Sequence, residues 1–274
     1  VRIGGENGRG PAALAESLAM AWITPQMDRL FQEDGASRRR FLDRLVYGFD
    51  PAHASRVSAY ERAMRERARL LKSGMRQDDW VLALENTMAE YGVAVAAARR
   101  DAVARLSAEL AEDVGPFPAA IVAVEGTVED SLDGAAAIDA EDAFRAALAQ
   151  SRRRDAETGG AAVGPHRSDL AVTHLAKDLP ARQCSTGEQK ALLIALVLAD
   201  ARIGAAQTGA APVLLLDEIV AHLDEARRLA LFEQVLGMGV QAWMTGTDKD
   251  VFAPLGRRAL FLDVADGAIT GIQV

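Results

Sequence analysis

A short polar turn, Cys184-Ser185-Thr186-Gly187-Glu188-Gln189-Lys190, opens a long apolar run; an apolar stretch, Val213 to Leu216, follows and ends in Asp217 and Glu218. The first amides of a helix lack internal partners, and the helix dipole makes that end attractive to anions. Ser185 adds a hydroxyl donor, and Gly187 lets the backbone approach an anion closely. Ser185 or Thr186 is also suited to N-cap the helix, with Glu188 completing a capping arrangement. Capping alone leaves the second stretch unexplained. Pro212 starts it, its apolar residues suit a buried parallel strand, and its two carboxylates sit at the carboxyl end, where open α/β sheets bind ligands.

In this order the two pieces resemble the signature and the magnesium-and-base strand of an ATP-binding-cassette-type ATPase head. The resemblance implies that Asp217 holds magnesium, through water, and that Glu218 orients or deprotonates the attacking water. The other reading is a pair of solvated carboxylates at a helix start. Ser185, Thr186, Gly187 and Glu188 form the signature, which acts on ATP in trans. Ala221-His222-Leu223-Asp224 matches the dimer-contact D-loop, with His222 a loop residue rather than a metal ligand. Gln26 stands where such ATPases place the glutamine that contacts magnesium and the attacking water, and Thr247 stands at the switch position.

A longer series of blocks resembles the RecF family of DNA replication and repair proteins, which is related to the SMC-type ATPases. The blocks are Trp22-Ile-Thr-Pro-Gln26-Met-Asp-Arg-Leu-Phe31, Ser37-Arg-Arg-Arg-Phe-Leu-Asp43, Tyr60-Glu-Arg-Ala-Met-Arg-Glu-Arg-Ala-Arg-Leu-Leu71 and Gly164-Pro-His-Arg-Ser-Asp-Leu170. The signature turn, the carboxylate strand and Met244-Thr-Gly-Thr-Asp248 complete it. The order of so many blocks is specific, and it covers nearly the whole chain. The implied fold class is α/β: an ABC/SMC-type ATPase head lobe of the P-loop NTPase class with an inserted helical arm domain. The implied cofactors are ATP and Mg2+, bound in an ATP-dependent homodimer. The implied substrate is DNA at single-strand/double-strand junctions, and the partner is RecR, with RecO in the same pathway. Recombinational gap repair, replication-fork maintenance and SOS induction are the implied processes, in the cytoplasm.

One departure stands against these matches. A nucleotide head needs a Gly-rich phosphate loop ending in Gly-Lys-Ser/Thr. Gly5-Glu-Asn-Gly-Arg-Gly10 has the Gly-to-Gly spacing, but Pro11 and Ala12 stand where Lys and Ser/Thr belong. Pro11 also removes an amide donor. With Val1 at the start, the expectation is an amino-terminally truncated member whose Walker A lobe is missing. A binding module without turnover, or another ABC/SMC-type ATPase subunit, stays open; Arg-Arg-Phe-Leu-Asp is not a transporter feature.

The 274 residues are 50% hydrophobic, enough for a sizeable core and two domains, with no apolar run of membrane-spanning length and no signal-peptide pattern. The single Cys184 excludes an internal disulfide and favours a reducing compartment. Net charge is −8, against the basic balance usual for nucleic-acid binders. Yet residues 36–73 hold ten Lys/Arg against four Asp/Glu. Within it Arg38, Arg39, Arg40, Arg65, Arg69 and Lys72 are the DNA-binding candidates, and Arg152-Arg153-Arg154 a weaker one. A solvated helix face with pairs such as Glu61–Arg65 accounts for the same charges.

The chain divides into residues 1–35, a head remnant with the Q-loop; 36–115, a helical arm broken near Ser73-Gly74; and 116–274, the head lobe with signature, Walker B and D-loop. Strands are expected at 119–124, 212–217, 240–245, 258–264 and 268–272. Helices are expected at 138–150, from the signature to about 203, at 224–236 and at 249–254. Residues 155–164 read as a flexible loop leading to His166 and Arg167, which suit DNA or nucleotide contact or support of the turn.

Overall fold

A computed structural model describes residues 2–3, 6–7, 19–74, 78–111, 115–208 and 212–273. Its fold is α/β, as expected. Two-residue strands β1 (Arg2–Ile3) and β2 (Glu6–Asn7) pair antiparallel. The glycine-run positions 5, 8 and 10, with Pro11 and Ala12, lie outside the described residues.

One sheet is parallel, in the order β3 (Met20–Ile23), β7 (Val213–Leu216), β8 (Gln241–Met244), with Ile23 opposite Leu216 and Leu216 opposite Met244. Ile23, Leu214 and Leu216 are buried in it, as an apolar parallel strand requires. A second, antiparallel sheet runs β4 (Ala120–Glu125), β5 (Asp169–His174), β6 (Leu179–Pro180). Strands β9 (Phe261–Ala265) and β10 (Ala268–Gln273) form a separate antiparallel pair.

Helix α1 (Gly35–Phe49) is N-capped by Asp34, whose side chain accepts from the Ser37 amide. Helix α2 (His53–Ser73) ends at Gly74, whose φ of 67° is the left-handed stop glycine permits, at the expected break. Helix α3 (Asp78–Glu109) runs back along it, followed by α4 (Thr127–Asp130) and α5 (Ala137–Thr158). Helix α6 (Thr186–Thr208) is the signature helix, and α7 (Glu225–Gly237) follows β7.

Apolar packing does not divide at residues 36 and 115. The larger core joins Leu42 and Leu45 of α1 and Leu106 of α3 to α6 and to β3, β4 and β7. The smaller core joins Tyr60, Met88, Val93, Phe144 and Leu148 from α2, α3 and α5. Helix α3 therefore belongs to both. The expected loop at 155–164 is corrected: α5 continues to Thr158, because Asp155 is fully buried against Arg67 and is a structural anchor. The helix expected at 249–254 is a kinked 3-10 stretch, Asp250–Arg258, interrupted by Pro254 and by Gly256 at φ 52°.

Candidate functional site

The parallel sheet delivers the candidate groups to one edge. Where the ladder ends, the Asp217 amide bonds to Ile23 O and the Thr245 amide to Leu216 O, both at 3.0 Å. The Thr245 hydroxyl donates to Asp217 Oδ1 at 2.6 Å and accepts from the Glu218 amide at 3.0 Å. Asp217 and Glu218 are exposed, while Ile219 and Val220 behind them are buried and anchor the turn. Glu218 has φ 51°, a left-handed conformation that disfavours a residue with Cβ, so the surrounding contacts hold this turn against backbone strain. Gln26 lies in the 3-10 turn Pro25–Arg29 that leaves the neighbouring strand β3, exposed at the same edge.

Among the described residues no group of three or more His, Cys, Asp or Glu side chains forms a metal cage. The oxygens of Asp217 and Thr245 at an open edge instead fit a hard cation held chiefly by phosphates and water, as magnesium is. Thr247 is exposed, and the hydroxyl that meets Asp217 belongs to Thr245, two residues earlier. The register makes Thr245 the next position beside Asp217, a signal that spacing alone does not carry.

The signature turn is folded as a capping box. Ser185 donates both its amide and its hydroxyl to Glu188 Oε2 at 2.9 Å, and the Glu188 amide points back to Ser185 Oγ at 3.4 Å. Lys177 pairs with the other Glu188 oxygen. The ammonium first, then the Ser185 donors, pull the Glu188 carboxyl down to about 2. The amino-terminal cap of α6 is thus filled by the chain's own carboxylate. Ser185, Thr186 and Gly187 are exposed. No internal packing demands glycine at 187, since an added Cβ would meet only Arg227 Nη1, at 3.6 Å. Asp224 caps α7 by accepting from the Arg227 amide at 2.9 Å; the side chains of Ala221 and His222 lie outside the described residues.

The basic cluster separates into two groups. Arg38 makes a two-pronged pair with Asp169 at 2.7 and 2.8 Å, and Arg39 donates to Ser168 O at 2.6 Å. Both guanidinium groups join α1 to the start of β5. Arg40 is exposed and donates to Ser37 Oγ at 2.9 Å. Arg65, Arg69 and Lys72 project from α2 with little cover, and at the surface Arg65 pairs with Glu61 and Arg69 with Glu66. Arg38 and Arg39 thus sit at the junction of α1 with β5, whereas Arg65, Arg69 and Lys72 lie on the carboxy-terminal half of α2. Arg152 pairs with Glu85, and Arg153 reaches Glu157 at 3.5 Å.

Sequence reasoning missed the buried charges beneath them. Arg67 meets Glu85, Asp155 and Leu148 O at 2.7–2.9 Å. Arg99 meets both Asp43 oxygens at 2.8 and 2.9 Å and Pro165 O at 2.6 Å, while His53 reaches Asp43 at 2.8 Å. His166 supports its turn: Nε2 faces the Ala161 carbonyl at 2.9 Å, so that nitrogen carries the proton and Nδ1 accepts from the Tyr60 hydroxyl at 2.6 Å. Gly164, at φ 136°, leaves room for that hydroxyl, which an added Cβ would strike.

No protein-family model matches the chain. It is 50% identical over 271 residues to the DNA replication and repair protein RecF of Mesorhizobium japonicum, spanning 98% of this chain and 72% of that one. It is 49% identical over 272 residues to RecF of Allorhizobium ampelinum, covering 98% and 72%. It is 50% identical over 281 residues to RecF of Brucella suis biovar 1, covering 98% and 73%. Among solved structures, the recombination mediator protein RecF-ATPrS of the RecFOR pathway superposes with a TM-score of 0.84 at 20% identity, over 98% of this chain and 71% of that one. RecF-ATP superposes with a TM-score of 0.72 at 21% identity, over 85% and 63%. At these structural identities the likeness is one of fold; at the sequence level, the chain belongs to the RecF family of DNA replication and repair proteins.

Proposed function

We propose that this chain is the greater part of an ATP-dependent DNA-binding protein that works through ATP-driven dimerisation at single-strand/double-strand junctions. The observation that carries the reading is the shared edge of β3, β7 and β8, where Gln26, Asp217, Glu218 and Thr245 emerge together. There Asp217, oriented by the Thr245 hydroxyl, is the position for magnesium. When bound, that ion would neutralise charge on the β- and γ-phosphates. Glu218 aligns the attacking water and takes its proton, and Gln26 contacts the same water. Ser185, Thr186, Gly187 and Glu188 face the nucleotide held by a second subunit, where the Ser185 donors leave Glu188 for the γ-phosphate. Asp224 lies at the subunit contact, and Thr247 acts as the switch.

We assign residues 1–35 and 116–274 to the head and 36–115 to its arm, with α1 packing into the larger core and α5 into the smaller one. Arg40, Arg65, Arg69 and Lys72 are the exposed members of the proposed DNA-binding set; Arg38 and Arg39 can join it only by giving up their partners in β5 and at Ser168. The work assigned is recombinational gap repair, fork maintenance and SOS induction in the cytoplasm, with RecR as partner and RecO in the same pathway. Among the described residues no helix is long and apolar enough to cross a membrane. Pro11 and Ala12, in place of Lys and Ser/Thr, favour a second reading, binding without turnover by this chain alone.

The test is Ser185→Arg in the full-length gene product. The expected outcome is nucleotide affinity of the monomer within about twofold of wild type and loss of the ATP-dependent dimer, read by titration and by light scattering. Collapse of monomer affinity with dimerisation intact would place Ser185 on its own subunit's nucleotide and overturn the assignment.

A further inference from the structure

The Gln26 turn and the Ser185 turn are far apart in sequence but tied together in space. Lys190, one turn into α6, is buried, and its ammonium lies 3.1 Å from Asp28 Oδ2, two residues past Gln26. Gln32, on the same segment as Asp28, donates to Arg182 O at 2.8 Å, just before the signature. Gln189, beside Lys190 and also buried, donates to Cys184 O at 2.9 Å. Leu30 and Phe31 share the core that holds Cys184 and Ala191. Apolar packing of α6 does not need an ammonium at 190. Burying one costs desolvation that a methionine of similar length avoids, and the offsetting gain is a fixed placement of Asp28 relative to α6.

We propose that Asp28 and Lys190 are a positioning pair that couples the two nucleotide positions of a dimer, an inference that rests on the dimeric ATPase reading above. In that arrangement Gln26 faces the nucleotide of its own subunit and Ser185 faces the nucleotide of the partner. A rigid tie between the two turns transmits engagement of one nucleotide to the donors offered to the other. Neither Asp28 nor Lys190 touches nucleotide; each acts through the turn it holds. Such coupling is reciprocal, so it appears as cooperativity in ATP rather than as affinity at either position.

The experiment measures dimer formation and hydrolysis against ATP concentration in the full-length gene product. It compares wild type with Lys190→Met, Lys190→Arg, Asp28→Asn and the exchange of the two charges, D28K with K190D. Wild type is expected to respond with a Hill coefficient approaching about 2, the limit for two sites. Lys190→Met and Asp28→Asn are expected to bring it to about 1, while ATP affinity measured in a Ser185→Arg monomer background stays within twofold. Lys190→Arg and the exchanged pair are expected to recover cooperativity. Should Lys190→Met fail to fold, Asp28→Asn decides alone, because it is isosteric and its carboxylate is part-exposed. Wild-type Hill coefficients in Asp28→Asn, beside a cooperative wild type, would overturn the tie alone. A wild type with no ATP-dependent dimer would instead overturn the reading on which it rests.

Discussion

Arg65 and Arg67 stand two positions apart on α2 and do opposite work. Arg65 is two-thirds exposed with one surface partner, whereas Arg67 is buried between Glu85 and Asp155, both also buried. Removing Arg67 strands two buried carboxylates with reduced compensation, although Arg152 stays on Glu85 and Ser151 on Asp155. Arg67→Met is expected to lower the unfolding free energy by about 3–5 kcal/mol. Arg65→Ala should stay within about 0.5 kcal/mol. Urea denaturation of both variants checks this, and equal losses would contradict it. The sequence offers no sign of the difference, since both arginines sit in the same charged run and the partners of Arg67 lie 18 and 88 residues away. Asp200 is a second group known only from packing. Burial pushes its carboxyl up to about 7, Arg44 pulls it the other way, and its Oδ1 has no hydrogen-bond partner among the described residues. The folded chain therefore keeps a proton that the unfolded chain releases above about 4, so this group's contribution declines as pH rises from 4 to 7. His166 has the opposite slope, because burial holds its ring below 6.5 and acid costs stability there. Asp200→Asn removes only the first effect. It should raise stability at pH 8 by about 1 kcal/mol or more, roughly 2–4 °C in Tm, and change little at pH 4. An equal change at both pH values would count against a buried proton.

Among the elements, strand β7 and helix α6 were the most legible, because β7 is a continuous apolar run after Pro212 and α6 begins at an obvious cap. Helix α5 was less so. Its last turn, Asp155 to Thr158, is polar and precedes two glycines, and only the buried Arg67 explains why it stays helical. The arm boundary was hidden for a related reason: α3 is apolar along its length and serves two cores, so its periodicity does not reveal where one ends. At the functional edge, Asp217 and Glu218 were readable from their place after an apolar strand. Thr245 required the register. The exposed face of α2 carries its own prediction. Arg65, Arg69 and Lys72 neutralised together should weaken DNA binding by the full-length protein, and the salt slope should fall by roughly 0.7–0.9 per lost phosphate contact. Exposed ion pairs such as Arg65–Glu61 contribute about 0–1 kcal/mol, so Tm should barely move. Unchanged affinity and slope with a lower Tm would assign this face to structure.

For the whole molecule, the two surfaces proposed to face nucleotide are built differently. The carboxylate edge is open, with Asp217 set by Thr245, whereas the signature turn is closed on Glu188 and Lys177. A single chain therefore presents two unlike halves, which the proposed head-to-tail pairing would set against each other. Glu218→Gln in the full-length protein tests this most directly, because it keeps the shape of the carboxylate edge and removes its proposed base. With ATP and magnesium, light scattering should report a persistent particle of about twice the monomer mass, with hydrolysis lowered at least about tenfold. Monomer mass in the presence of bound ATP, or hydrolysis at the wild-type rate, would contradict the account.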